Sequence, residues 1–355
     1  GMKKHNFYAG PSILSEYTIK NTAAAVEDFA GMGLSLLEIS HRSKEFVAVN
    51  DEARALIKEL LDVPAGYEVV FMGGGASMQF CMDPYNLLNK KASYLDTGTW
   101  ASNAIKEAKL FGEVDVVASS KDKNYTYIPK GYAIADDSDY FHFTSNNTIY
   151  GTEMRKDPDV KQRLVCDMSS EIFSRPIDIS KYDIIYAGAQ KNMGIAGLGV
   201  AIIREDLLQD VAKTTPVLLD YKLMIKNDSM YNTPPAYAIY VLGLVLEWID
   251  SLGGLEVMKE RNEKKAKLVY DYLDQSTFYK AHSDKENRSL MNVTFTTPNK
   301  DLDAKFVKES IEAGMTNLKG HRSVGGIRAS IYNAMPYEGV EKLVAFMKEF
   351  EENNR

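Results

Sequence analysis

Residues 186–194, Tyr-Ala-Gly-Ala-Gln-Lys-Asn-Met-Gly, place Lys191 in a turn of small residues between two apolar runs. Residues 182–186 before it read as a buried strand, and residues 197–203 after it read as another. A solvated turn is ordinarily built from Asn-Gly or Pro-Asp pairs. Here Ala187, Gly188, Ala189 and Gly194 leave room for something bulky instead. Two readings fit this stretch: a surface lysine on a hairpin, or a lysine held in a cleft where it can react.

Outward from the turn, strand-like runs alternate with amphipathic stretches. Residues 43–62 are expected to form a helix with Phe46, Val47, Ala53, Leu56, Ile57, Leu60 and Leu61 on its inner face, ended by Pro64-Ala65-Gly66. Strands are expected at 68–72, 91–95, 114–118, 140–144 and 164–167, with helices from about Ala76 and over 102–111. This rhythm predicts an α/β fold with a mostly parallel sheet flanked by helices, whose site collects at the carboxyl ends of the strands. After the stiff bend Asn232-Thr233-Pro234-Pro235 come an apolar helix at 236–249 and a charged one at 256–273. Strands at 289–295 and 327–331 and helices at 301–313 and 339–351 then form a smaller C-terminal α/β domain. The division is placed at 11–250 for the large domain and 251–355, with residues 1–10, for the small one.

Composition narrows the function. The chain has 355 residues, is 45% hydrophobic and carries a net charge of −7, with no Lys/Arg-rich run, which argues against a nucleic-acid partner. The longest largely apolar stretch, 237–249, is too short to span a bilayer, and residues 1–5 lack an apolar signal region. Gly1 ahead of Met2 reads as a remnant of expression, and a cytoplasmic location is expected. Cys81 and Cys166 are expected to be buried thiols, and the five histidines show no metal-ligand spacing.

Several residues can carry chemistry. Gly73-Gly74-Gly75 joins a strand to a helix, where free backbone amides make an anion site. It is neither the dinucleotide fingerprint, since position 78 is Met78, nor a P-loop. Asp167, at the end of a strand, either caps Met168-Ser169-Ser170 or awaits a cation. Trp100 either packs a core or offers a flat face for a ring. His41-Arg42 and His321-Arg322 lie in loops, the first just before a helix, and Arg328 follows six residues after Arg322. Each pair can be plain surface charge; together they suggest a doubly charged ligand, because arginine grips phosphate and carboxylate with a fork.

Five segments in order, EISHRSKEF (38–46), SRPIDIS (174–180), YAGAQKN (186–192), MYNTPP (230–235) and KGHRSVGGIRASIYNAM (319–335), make the chain similar to the phosphoserine aminotransferases, with the match running from Asn6-Phe7-Tyr8-Ala9-Gly10-Pro11 to the last helix. These are fold-type I, pyridoxal-5′-phosphate enzymes of the class V aminotransferases. The resemblance implies that Lys191 bonds to the cofactor aldehyde and later moves the substrate proton, and that Asp167 pairs with the ring nitrogen. It implies that Trp100 stacks on the ring and Thr148 bonds near the ring hydroxyl. Ala76, Ser77 and Gln190 would hold the cofactor phosphate, with Asn232 and Thr233 reaching in from a second subunit, hence a homodimer with shared sites. Arg328 would grip the α-carboxylate; His321 and Arg322, with His41 and Arg42 of the neighbouring subunit, would take the distal phosphate. The implied reaction exchanges an amino group between glutamate and 3-phosphohydroxypyruvate, with the phosphohydroxythreonine step of pyridoxine synthesis as a second activity. Some family members carry an arginine just after the triple glycine; this chain has Ala76-Ser77-Met78-Gln79 there. A desulfurase is disfavoured, since neither cysteine sits in a mobile loop. Other readings are a lyase or small-substrate aminotransferase on the same fold, and a non-catalytic binding module.

Overall fold

The computed structural model describes residues 3–208 and 216–355; Gly1 and Met2 lie outside the described residues. The strands are β1 (His5–Asn6), β2 (Tyr67–Gly73), β3 (Lys91–Asp96), β4 (Glu113–Ser119), β5 (Tyr140–Thr144), β6 (Asn146–Asn147), β7 (Thr152–Glu153), β8 (Arg163–Asp167), β9 (Ile184–Gly188), β10 (Leu198–Arg204), β11 (Lys280–Ala281), β12 (Asn292–Thr296), β13 (Met315–Thr316) and β14 (Ile327–Ser330). Seven of them form one sheet in the order β2-β10-β9-β8-β5-β3-β4. The sheet is parallel except at β10, which runs antiparallel to both β2 and β9. The expected α/β architecture with a mostly parallel sheet is therefore present.

The period-two alternation of each strand sorts its side chains between two helical layers. Val69 and Phe71 of β2 join Phe46, Ile57, Ile239 and Leu242 on one face, under the helices Lys44–Leu60 and Ala236–Ser251. Val70 and Met72 join Tyr94, Tyr140, Val165 and Tyr186 on the other, under Gly75–Leu87 and Thr99–Ala108. With both faces covered, the strands read as nearly unbroken apolar runs. A separate core gathers Phe295, Phe306, Ile327 and Phe350 around the antiparallel sheet β11-β12-β14. Phe7 belongs to this core, and β1 pairs in parallel with β13.

Some boundaries differ from expectation. The helix expected at 102–111 runs Thr99–Ala108, because the Gly98 carbonyl already accepts from the Ser102 amide at 2.9 Å; Trp100 thus lies in the first helical turn. The strand expected from Ser289 begins at Asn292, since the Ser289 hydroxyl accepts the amides of Met291 and Asn292 and holds a turn. The strand expected over 182–186 is displaced to Ile184–Gly188, after the turn Ile179–Lys181 capped by Asp178. Cys166 is buried as expected, whereas Cys81 is half-buried on its helix beside Met78. Among the described residues no single helix is long and apolar enough to cross a membrane.

Candidate active site

The carboxyl ends of β2, β3, β5, β8 and β9 share one end of the sheet, and a cavity of about 470 Å³ opens there. Lys191 enters it from the β9–β10 hairpin, which is closed by the Ala189 amide donating to the Leu198 carbonyl at 2.9 Å. The hairpin reading and the cleft reading thus describe the same lysine. Its carbonyl accepts from the Ser12 hydroxyl, and its Nζ donates to Thr148 Oγ1 at 2.7 Å. Thr148 stands in the tight connection between β6 and β7. Burial lowers the Lys191 amine to about 8; the Asp167 charge opposes the shift and Arg328 adds to it.

Asp167 ends β8 and is buried. Its Oδ1 accepts the Ser169 amide at 3.0 Å and the Ser169 hydroxyl at 2.6 Å. The Ser169 hydroxyl in turn accepts the Gly188 amide at 3.0 Å. The carboxylate therefore caps a turn and faces the lysine's cleft at once. Burial raises its pKa, and the Ser169 bonds and the Lys191 charge hold it down.

Gly74 adopts a left-handed conformation (φ +87°) and starts the helix Gly75–Leu87 without a side-chain cap, so the first-turn amides stay free. Gly74, Gly75, Ala76 and Ser77 line the cavity. Gly199 on the facing strand permits this turn to lie flat, because a Cβ there would sit 2.8 Å from the Gly75 carbonyl. Gln190 also lines the cavity, and among the described residues its buried Oε1 has no partner. Trp100 borders the opening. Arg328, on β14, reaches the cavity while only 8% exposed. Among the described residues its guanidinium makes no ion pair, and burial lowers its pKa. A buried, unpaired guanidinium beside a lysine marks the place of an anionic ligand.

Of the residues singled out from the sequence, Ala76, Ser77, Trp100, Thr148, Asp167, Gln190, Lys191, His321 and Arg328 line this one cavity. Arg322 lines a different depression with Lys300 and Lys319. His41, Arg42, Asn232 and Thr233 do not line the cavity of their own chain; Arg42, Asn232 and Thr233 are exposed, and His41 Nε2 is buried without a partner. Residues that sequence reasoning leaves without a role are Tyr8, Ala9 and Gly10 at the wall, and Ser169 and Ser170 beside Asp167. The segment around Gly10 stands in the family match, but nothing local to it signals a cavity wall.

A lysine hairpin, a buried aspartate and a bare helix start at one end of the sheet make a site for an anionic, ring-bearing ligand beside an amine. The chain belongs to the class-V aminotransferase family, whose model matches residues 5–343. It is 73% identical to the phosphoserine aminotransferase of Parabacteroides distasonis, over 99% of this chain and 100% of that one. Among solved structures it superposes on the phosphoserine aminotransferase of Bacillus circulans subsp. alkalophilus with a TM-score of 0.97 at 46% identity, covering 99% of both chains. The pyridoxal-phosphate-bound phosphoserine aminotransferase of Trichomonas vaginalis matches with a TM-score of 0.94 at 39% identity, covering 98% of this chain and 100% of that one.

Proposed function

We propose that this chain reversibly transfers an amino group between L-glutamate and 3-phosphohydroxypyruvate, giving O-phospho-L-serine and 2-oxoglutarate, with pyridoxal 5′-phosphate in the cavity. The observation that carries this reading is the convergence of Lys191, Asp167 and the unpaired Arg328 on one cavity floored by a helix start. The free amides at Gly75–Ser77 and the buried Asp167 fit a phosphorylated, nitrogen-bearing ring.

When bound, the cofactor supplies an aldehyde for the amino group and a protonated ring that accepts the electrons released at the substrate carbon. The chain's own residues do the rest. Lys191 would move the proton between the substrate Cα and the cofactor C4′ carbon, and the burial that lowers its amine to about 8 favours the free base this needs. Asp167 would hold the proton on the ring nitrogen. The Gly75–Ser77 amides and the Ser77 hydroxyl would take the cofactor phosphate, so the site has donors without the missing arginine. The Trp100 indole at the cavity's border would cover a ring face. Arg328 holds the α-carboxylate as a fork, and His321 lies within reach of the substrate's other anion. Arg322 of the same chain faces elsewhere in this structure, so its role in phosphate binding requires that loop to turn. The exposed Asn232 and Thr233, with His41 and Arg42, complete the site from a partner subunit of a cytoplasmic homodimer. The phosphohydroxythreonine step of pyridoxine synthesis is a second activity, because the same two anion sites accept that substrate.

The test is spectroscopic first. Glutamate should bleach the yellow holoenzyme, and phosphohydroxypyruvate should restore the colour far faster than pyruvate or glyoxylate. Absence of bleaching, or equal rates with all three acceptors, removes the proposal.

A further inference from the structure

The three groups of the proposed reaction come from three separate segments. Lys191 hangs from the β9–β10 hairpin, Asp167 leads into residues 168–175, and Arg328 belongs to β14 in the second core. Their mutual distances therefore depend on whatever joins those segments behind the cavity. One residue touches all three, with its backbone on the lysine hairpin and its side chain on the turn after Asp167. Asn333 lies five residues beyond Arg328 and is 2% exposed. Its backbone amide donates to Oδ1 of Asn192, the neighbour of Lys191, at 3.0 Å. Its Nδ2 donates to the Phe173 carbonyl at 2.8 Å. Its Oδ1 accepts from Asn262 Nδ2 at 2.9 Å, and the same Asn262 nitrogen donates to the Ser174 carbonyl at 3.0 Å.

The surroundings make this node stiff. Asn192 and Asn262 are buried, and buried amides that lose a partner are costly. Phe173 is a buried aromatic at φ +65°, a conformation that persists only where neighbours over-determine it. On either side of Asn333, Lys265 Nζ donates to the carbonyls of Ile331 (3.0 Å), Tyr332 (2.7 Å) and Met335 (3.0 Å), tying them to the helix Leu255–Gln275.

We infer that Asn333 is a positioning residue that sets where Arg328 holds the substrate carboxylate relative to the Lys191 amine. It touches neither substrate nor cofactor. Its side chain acts through the register of β14 against the turn after Asp167, while its backbone amide, kept in every variant, holds the lysine hairpin. This assignment rests on the function proposed above. Because it concerns the placement of Arg328, its loss weakens carboxylate binding while the cofactor shell on the main sheet stays intact.

The experiment compares wild-type holoenzyme with Asn333→Ala and with Tyr279→Phe. The second removes a buried hydrogen bond to the Met347 carbonyl (2.7 Å) inside the second core and serves as the control. Binding of glutarate, an unreactive five-carbon dicarboxylate, is measured by calorimetry, alongside the absorbance of the bound cofactor and the kcat and KM for glutamate. In Asn333→Ala the glutarate Kd and the glutamate KM should rise by about tenfold or more, the loss expected for roughly one charge-assisted hydrogen bond, with the cofactor spectrum unchanged. Tyr279→Phe should leave both constants within about twofold of wild type. If Asn333→Ala does not fold, Asn333→Asp keeps the acceptor for Asn262, loses the donor to Phe173, and is read in the same way. Glutarate affinity within twofold of wild type, a matching loss in the control, or an altered cofactor spectrum overturns the assignment. A wild-type enzyme that neither bleaches with glutamate nor binds glutarate overturns the proposed function and this assignment together.

Discussion

Replacing Ser169 by alanine tests how the charge of Asp167 is kept. The Ser169 hydroxyl donates to Asp167 Oδ1 at 2.6 Å and accepts the Gly188 amide at 3.0 Å. Ser169→Ala removes the first bond and orphans the second donor. A hydrogen bond to a charged group contributes about 1.5–3 kcal/mol, and one pKa unit corresponds to about 1.36 kcal/mol. The Asp167 carboxyl, already raised by burial, should therefore climb by roughly one to two further units. A protonated Asp167 cannot hold the ring-nitrogen proton, so activity falls as pH drops through its pKa. Raising that pKa moves the loss to higher pH. Lys191 moves the opposite way, because the Asp167 charge is what holds its amine up. The assay is the stopped-flow rate of glutamate-driven bleaching across pH, for wild type, Ser169→Ala and Ser169→Thr, the last retaining a hydroxyl. The acid limb of Ser169→Ala should shift upward by about one to two pH units, with recovery on the alkaline side, and Ser169→Thr should stay near wild type. An unmoved acid limb, or an equal fall at every pH, refutes this account of Asp167.

Arg328→Lys exchanges a fork for a point charge and should lower kcat/KM for glutamate by roughly ten- to a hundredfold, seen in steady-state kinetics; a loss below about threefold rules out the carboxylate role. Asp83→Asn concerns a fully buried carboxyl whose Oδ1 accepts from Tyr221 at 2.9 Å and whose Oδ2 has no partner among the described residues. Burial raises its folded-state pKa, so the folded chain binds more protons than the unfolded one above about pH 4, and wild-type stability falls as pH rises through that window. The Tm advantage of Asp83→Asn should therefore widen with pH, and a constant gap would contradict the argument. Lys265→Met strands three backbone carbonyls and should cost about 3–5 kcal/mol in denaturant unfolding; a change under about 1 kcal/mol would mean those carbonyls find other partners.

The parts of the molecule that are legible in its sequence are those where local chemistry and tertiary environment agree. Residues 184–188 and 198–203 carry no charge because helices cover both faces of the sheet, so strands are legible there, though the first is read two residues early. Gly73-Gly74-Gly75 and Lys191 are visible because each is odd where it stands. Asp167 is legible as a strand-end acid, but its division of labour with Ser169 is not, because that turn depends on the Gly188 amide nineteen residues on. The wall at Tyr8–Gly10 is illegible for the same reason: it is brought in by contact between distant segments. Adjacent loop residues need not face together, as His321 and Arg322 show. The helix start at Thr99 is hidden because Gly98 is extended and carries no capping side chain.

The hairpin that presents Lys191 lies inside the sheet, with β9 zipped to β8 and β10 zipped to β2. Releasing that turn means tearing ladders on both flanks, so no cheap local opening can detach the amine from its surroundings. Heat should then inactivate this chain only as the whole sheet melts, and backbone amides such as that of Ala189 should exchange with solvent no sooner than the globule itself comes apart.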